Sequence, residues 1–434
     1  TSPSAGPRVE GDQRTAVGEI DLETYDPMDR AVQQCPYPHY AALRDQAPVY
    51  LHPATGMYFI SKLETVKQVL LDPATFSSRM SNVGTSGSAE VMKRAAEIAA
   101  EGWPRVDTML TIAPPPPPRY RKLVSQAFTA RRIAALEDEI RAITVELIDG
   151  FPERGTIDFH ADFAVALPVK VIHHALNMDE SVENKIKPWS DDAVATLGAN
   201  VTDERRLEAV RGIVDSQKYW FDEYQRRLVE PQDDILTDVA HGDFDDPDTG
   251  EIRKLEFPEV FGIIQQLMVA GNETTTKLRN ETIMMRIEDP AWWQRIVDDP
   301  GQIPAVVEEG LRLSSPNQGL FRTVTTDTEL EGVPIPAGSR LWVMFGSANR
   351  DEDVFPDPDT FDADRDNVRD HVAFGKGQHF CPGAPLSRLE ARVALEELAK
   401  RLASLEFSAD NTFEYEPSFI LRGLAELRLD IVKR

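Results

Sequence analysis

Cysteine is almost absent from this chain: Cys35 and Cys381 are the only two in 434 residues. Two cannot build a disulfide framework, and if either is taken up by a ligand no internal disulfide remains, so a reducing, cytoplasmic setting is expected. Long apolar runs are missing too. No stretch reaches the roughly 18 residues needed to span a bilayer, and residues 1–30 are polar and acidic, with neither an apolar signal core nor a basic amphipathic helix. No membrane anchor is therefore expected. Basic residues are outnumbered, 47 against 73 acidic, and the formal net charge of −26 argues against nucleic acid as a partner, because phosphates would be repelled. Repeats and long linkers are also lacking. The expectation is a mobile leader over residues 1–30 and one domain over 31–434.

What is present concentrates near the C-terminal end. Phe374-Gly375-Lys376-Gly377-Gln378-His379-Phe380-Cys381-Pro382-Gly383 leads into a helix-like stretch, residues 384–402, with apolar Leu386, Leu389, Val393, Leu398 and Leu402. A cysteine just ahead of a helix sits where free amides and the helix dipole favour a thiolate. The glycines let the backbone turn tightly and lie flat against a planar partner. Phe374 offers a ring to such a partner and His379 a donor. A thiolate presented this way suits axial ligation of haem iron; a lone cysteine without that setting reads as a small core residue.

In chain order, residues 49–51 and 57–60 flank Pro53-Ala54-Thr55-Gly56 and predict a β-hairpin. A helix is expected over 63–71, a Ser/Gly-rich loop over 77–88 and a helix over 89–102. The five prolines of 114–118 cannot lie inside a helix but can lead into one. Residues 119–228 read as mostly helical, with breaks at Phe151-Pro152, Gly155, Pro168 and Gly198. The aspartates of 241–248 match no calcium-loop spacing and read as a solvated turn. A long apolar helix is predicted over 257–287, another over 305–313, and short strands over 321–330 and 340–345. The fold class is mainly α with small β-sheets.

Ala270 and Thr274, at i and i+4 of the long helix, share a face with Glu273 beside them. Small residues next to a carboxylate and a hydroxyl make a groove where a diatomic ligand could receive protons; core threonines are the plainer reading of that segment alone. Glu309 and Arg312, at i and i+3, would by spacing be a surface pair of small value. Residues 113–136 contain no acid but Arg119, Arg121, Lys122, Arg131 and Arg132, either a solvated helix face or a docking site for an acidic partner.

The unbroken pattern Phe-x-x-Gly-x-His-x-Cys-x-Gly over 374–383 resembles the haem-ligand signature of the cytochrome P450 family, the haem-thiolate monooxygenases. The likeness extends over most of the chain from about residue 36. It implies the single-domain cytochrome P450 fold of the soluble bacterial-type members, with haem b (heme b, iron protoporphyrin IX) ligated by Cys381. It also implies that Phe374, His379, Gly383, Ala270, Arg121 and Arg322 surround the cofactor, Arg322 pairing a propionate. Glu273 and Thr274 would be the acid–alcohol pair that delivers protons, and Glu309, Arg312 and Arg365 a buried network bracing the cysteine loop. Two positions depart from the pattern. Pro117 stands where many members carry a histidine, and Pro382 supplies no amide to the sulfur; both bear on redox potential.

The implied reaction inserts one atom of O2 into an unactivated C–H bond while the other leaves as water. No flavin or iron–sulfur segment follows the haem region, so electrons are expected from a separate ferredoxin-type protein and its reductase, docking on the basic island with Lys376 and Arg388. An H2O2-dependent peroxygenase is the alternative on the same scaffold, against which the Glu273–Thr274 pair argues. A non-catalytic haem-binding or gas-sensing protein is the alternative from another class, and it would need neither proton relay nor docking face. The substrate is expected to be a hydrophobic small molecule: terpenoid, steroid, fatty acyl or aromatic. Gln266, one turn before Ala270, either holds a polar group of that substrate or faces solvent or a neighbouring helix; Leu320, Ile420 and Leu421 are expected as apolar walls.

Overall fold

The computed structural model describes residues 20–79, 88–106, 120–121, 123–124, 129–196, 201–246 and 249–434. The proline run with Pro117, Arg119 and Lys122 of the basic island, most of the 77–88 loop, Gly198 and Pro247-Asp248 lie outside the described residues.

The long helix runs from Phe257 to Glu288. Glu256 and Glu259 close a capping box at its start, each carboxylate taking an amide that the first turn leaves unpaired. It stops at Asp289, ahead of Pro290, which has no amide to continue the ladder. Its first turns bury Val260, Ile264, Leu267 and Met268 in one core with Trp189, Trp220 and Val239. Past Asn272 the buried residues turn polar: Glu273, Lys277, Arg279, Asn280 and Glu281. A second core joins the helix after the cysteine, Ala384–Arg401, to the helices Ile303–Ser314 and Glu137–Asp149 through Leu389, Val393, Val307, Leu311 and Ile143.

A five-stranded sheet is ordered Val49–Leu51, Tyr58–Ile60, Arg340–Val343, Leu320–Val324, Phe76–Ser77. The predicted hairpin forms its edge with Tyr50 opposite Phe59, and Gly56 takes the left-handed turn position at φ +65°. Leu341 pairs with both Tyr58 and Arg322, which puts Arg322 on an inner strand. The strand expected over 321–330 is two, Leu320–Val324 and Thr328–Leu330, because Asp327 accepts the Ala337 amide at 2.8 Å and folds the second into its own hairpin with Val333–Ile335. A three-stranded sheet sets Arg428–Lys433 between Leu402–Phe407 and Arg154–Asp158, the last lying in the helix break expected around Phe151-Pro152 and Gly155.

Pro168 does not break the chain. It lies in the helix Ala166–Ala175, behind a π-helical turn at His160–Val165. The Ala164 carbonyl, deprived of the amide proline lacks, accepts instead from Thr276 Oγ1 of the long helix at 3.0 Å. Leu22 and Tyr25, expected within the mobile leader, are packed into the core. Leu22–Thr24 forms a 3-10 turn, Tyr50 Oη donates to Leu22 O at 2.8 Å, and Leu22 and Tyr25 bury against Tyr40, Phe59 and Trp342. Packing therefore begins by residue 22; residues 1–19 lie outside the described residues. Among the described residues no helix is long and apolar enough to cross a membrane.

Candidate active site

Cys381 lies between a 3-10 turn, Gly377–His379, and the helix that begins at Ala384. Gly375 and Gly377 take φ +68° and +70°, left-handed values costly for other residues, and a Cβ on Gly377 would stand 2.9 Å from the Leu70 carbonyl. Cys381 N donates to Phe374 O at 2.9 Å, closing the loop and fixing the direction of the sulfur. The amides of Gly383 and Ala384 donate to that sulfur, so the amide missing at Pro382 is supplied by the next two residues. The thiolate expected from helix position alone needs more than these donors. Burial pushes the Cys381 thiol up, and the Gly383 amide, Arg121, the Ala384 amide and Arg388 offset only part of it. Ionisation at such a site is completed by a bound metal.

Arg121 reaches this loop, its Nη1 donating to Gln378 O at 2.8 Å and its Nη2 to Phe380 O. His379 Nε2 lies 3.2 Å from Ser78 Oγ. Phe374 carries the Arg388 guanidinium over its ring, 4.7 Å from the centroid, and Glu308 locks Arg388 at 2.5 and 2.9 Å. Burial pushes Glu308 up, but His371 and Arg388 outweigh it and hold the carboxyl at about 2. Arg388 thus braces the loop and is not the free docking charge expected of it.

Glu309 and Arg312 are fully buried, not a surface pair. Arg312 Nε and Nη2 each lie 2.7 Å from a Glu309 oxygen, and Arg365 Nε is 3.1 Å from Oε1. Arg312 Nη1 donates to the Asn349 and Pro358 carbonyls, both at 2.8 Å, and Arg365 Nη2 to Asp357 O at 2.7 Å. One carboxylate and two guanidiniums thereby tie the helix Ile303–Ser314 to the irregular stretch ahead of the cysteine loop.

Arg322 is 5% exposed, with Nη1 donating to Phe321 O at 2.7 Å. It has no acidic partner among the described residues, and burial pushes its guanidinium down to about 10. A buried cation without a countercharge suits an anionic group arriving with a cofactor. Among the described residues no three His, Cys, Asp or Glu side chains converge to hold a metal by themselves. A lone sulfur with two amide donors would therefore suit a metal whose other donors come with its own cofactor. The residues present fit a haem.

On the long helix, Thr274 Oγ1 donates to Ala270 O at 2.7 Å, and Thr275 and Thr276 bond back to Gly271 and Asn272. All three threonine hydroxyls are thus taken up by carbonyls of their own helix. Ala270 is exposed and Thr274 half-buried on one face. Glu273 is 6% exposed and clamped twice, Oε1 3.1 Å from Lys187 Nζ and Oε2 3.0 Å from Lys277 Nζ. Burial pushes its carboxyl up, yet Lys277 and Lys187 together hold it at about 2. Lys187 also pairs with Asp191, and Lys277 with Glu416 at 2.7 Å. No hydrogen bond joins Glu273 to Thr274 among the described residues, so the expected pair is a clamped acid beside a back-bonded hydroxyl. Lys277 was visible in the sequence at i+4 from Glu273; Lys187 and Glu416 come from elements no spacing rule connects.

Gln266 is half-buried one turn before Ala270. Gln318 N donates to Ile420 O at 2.7 Å and Leu421 bridges to Asn317, which brings Leu320, Ile420 and Leu421 into one neighbourhood. The basic island is not uniform. Arg131 is exposed, whereas Arg132 is taken up by Asp233 at 2.7 Å and by Asp238.

The family model for cytochrome P450 matches residues 301–421. Cytochrome P450 109 of Bacillus spizizenii is 35% identical over 405 residues, 91% of this chain and 92% of that protein. The 6-deoxyerythronolide B hydroxylase of Saccharopolyspora erythraea is 36% identical over 325 residues, 74% of this chain and 78% of that protein. Among solved structures, cytochrome P450 CYP109Q5 from Chondromyces apiculatus superposes with a TM-score of 0.81 at 33% identity, covering 95% of this chain and all of that one (100%). CYP109E1 from Bacillus megaterium in complex with testosterone gives 0.76 at 30% identity, covering 91% of this chain and 99% of that one. By its cysteine loop, its fold and these identities, the chain belongs to the cytochrome P450 family of haem-thiolate monooxygenases.

Proposed function

We propose that this monooxygenase hydroxylates a hydrophobic molecule of steroid or macrolide size, with electrons from a separate ferredoxin-type protein and its reductase in the cytoplasm. The observation that carries the reading is the Cys381 loop, one half-buried sulfur receiving the Gly383 and Ala384 amides on a glycine-shaped turn. Haem b bound to Cys381 would supply O2 activation and transfer of one oxygen atom to a C–H bond. The chain's own residues do the rest. Gly375 and Gly377 keep the loop flat, Phe374 and His379 flank it, and Arg322 and Arg121 supply cations for the propionates. The Glu309–Arg312–Arg365 network holds the approach to the loop rigid. Glu273 would move protons by exchanging one lysine contact for the Thr274 hydroxyl, which for this lets go of the Ala270 carbonyl. Ala270 keeps that face open, Leu320, Ile420 and Leu421 wall the pocket, and Gln266 bonds a polar group of the substrate.

The size class follows the testosterone bound by one relative and the 6-deoxyerythronolide B that gives another its name. A spin-shift screen of steroids and macrolides on the haem-loaded protein tests it, followed by turnover with ferredoxin and reductase. Cys381→Ser should abolish the thiolate-type carbon-monoxide difference spectrum while Cys35→Ser keeps it. Thr274→Ala should bind ligand normally but release more peroxide per product. A thiolate spectrum that survives in Cys381→Ser would end this reading.

A further inference from the structure

The two clamps on Glu273 differ in freedom. Lys187, on the helix Glu183–Ala195, has a side chain 31% exposed and a second partner in Asp191, itself 43% exposed. Lys277 is confined. Its side chain is 4% exposed, with Nζ 3.0 Å from Glu273 Oε2 and 2.7 Å from Glu416 Oε2. Its methylene stem lies against Gly423, where a Cβ would stand 2.2 Å from Lys277 Cγ. Glu416 and Gly423 face each other: Glu416 N donates to Gly423 O at 2.9 Å, and Tyr415 bridges to Leu424 one step further out. They are the neck of a loop, residues 417–422, that carries Ile420 and Leu421. Lys277 is therefore gripped by both sides of that neck, by charge at Glu416 and by contact at Gly423, while the same ammonium holds Glu273.

We propose that Lys277 is a positioning residue that couples the seating of the 417–422 loop to Glu273, the two carboxylates competing for one ammonium. The inference rests on Glu273 being the proton-delivering group. A loop drawn down on substrate strengthens the Glu416 pair and loosens the hold on Glu273, which is then free to turn toward Thr274. A loop lifted away leaves the ammonium to Glu273 and keeps the carboxylate locked. Proton delivery is thus armed when the substrate loop is seated. The charged groups around Glu273 are Lys277 on its own helix, Lys187 and Asp191 from Glu183–Ala195, and Glu416 from the neck, with His160 nearby. Only Lys277 contacts both Glu273 and the neck among these ion pairs.

Coupling is reciprocal, so it can be read at the far end without turnover. Hydrogen exchange of the haem-loaded full chain, followed by mass spectrometry over residues 415–424, reads the neck. Glu273→Gln leaves the whole ammonium to Glu416, and exchange of the neck should slow by about 5-fold or more. Lys277→Met should speed it; general destabilisation speeds exchange too, so the slowing in Glu273→Gln is the sign that it cannot give. Glu416→Gln removes the competitor, so the pH profile of product formed per electron pair should shift on its acidic side and peroxide should rise. Unchanged or faster neck exchange in Glu273→Gln overturns the coupling, as does an unmoved pH profile in Glu416→Gln. Normal peroxide release in Glu273→Gln would instead overturn the proton-delivery reading, a separate failure because the exchange result stands apart from turnover.

Discussion

Replacing Lys187 by methionine should destabilise the protein by about 2 kcal/mol near pH 7, and that loss should fade in acid. Glu273 is held at about 2 against an ordinary 4.5, which favours its anion in the fold by about 3 kcal/mol. Two ammonium groups overcome the cost of burial, and at 3.0 and 3.1 Å they contribute alike, so losing one, with the burial cost unchanged, removes at least half of the net effect. Methionine keeps most of the volume of the stem and deletes only the charge. Because the folded carboxyl is depressed, its contribution is complete above the ordinary value of 4.5 and is lost as pH falls toward about 2. Urea midpoints of wild type and Lys187→Met should therefore lie furthest apart near neutrality and converge only toward pH 2. Asp191 loses the same partner, and the Glu273→Gln background separates the two effects. There the Lys187→Met penalty should shrink by most of its size. A penalty undiminished in that background, or constant down to pH 2, would refute the clamp.

Arg312→Lys keeps a charge but loses the fork that meets Glu309 at two contacts of 2.7 Å, so it should cost about 3 kcal/mol and speed haem loss, read by urea midpoint and by haem transfer to an apoglobin. Arg131→Glu should slow reduction by an acidic iron–sulfur donor, with the difference closing as salt rises, while Arg132→Glu, which breaks pairs with Asp233 and Asp238, should lower stability first; stopped-flow reduction and thermal melts distinguish them. Glu281 is buried, its Oε1 has no partner among the described residues, and burial pushes its carboxyl up. A raised carboxyl weakens the fold as pH rises past its unfolded value, so Glu281→Gln should raise the midpoint near pH 8 and change little below pH 4.

The cysteine loop was legible because its residues are contiguous and each has a local duty: two glycines at positive φ, a ring, a sulfur ahead of a helix. The long helix was legible from its apolar start and its Asp289-Pro290 stop. The hairpin followed from Gly56 and its flanking apolar residues. What spacing misjudged was burial. Glu309 and Arg312 have the spacing of any surface pair; the family resemblance, not the spacing, pointed to a buried network with Arg365, and the carbonyls of Asn349 and Pro358, far along the chain, complete it. Pro168 looked like a break because the partner that rescues the Ala164 carbonyl, Thr276, lies on a different helix. Free charge was misjudged for the same reason. Arg132 and Arg388 looked available until Asp238 and Glu308 arrived from distant segments.

The polar half of the long helix raises a question of aim. Three of its cations reach different elements: buried Lys277 to Glu416, buried Arg279 to Glu390 of the helix Ala384–Arg401 at 2.5 Å, and half-buried Arg286 to the Leu405 carbonyl at 2.7 Å. Successive residues are turned by about 100° around a helix axis, so a modest rotation would carry Ala270 and Thr274 off their face. Apolar side chains of similar volume substitute for one another and tolerate such rotation; an end-on ion pair does not. The Arg279–Glu390 pair adds little net stability, since burial pushes Arg279 down and Glu390 up, against the charged form of each. Arg279→Met alone should cost about 3–5 kcal/mol by stranding the carboxylate. Arg279→Met with Glu390→Leu should instead match or exceed wild-type stability, by up to about 4 kcal/mol. If the pair aims the helix, that stable double variant should still release more peroxide per product and give a less complete spin shift. A double variant with a raised midpoint and wild-type coupling would show that apolar packing alone sets the rotation of the helix.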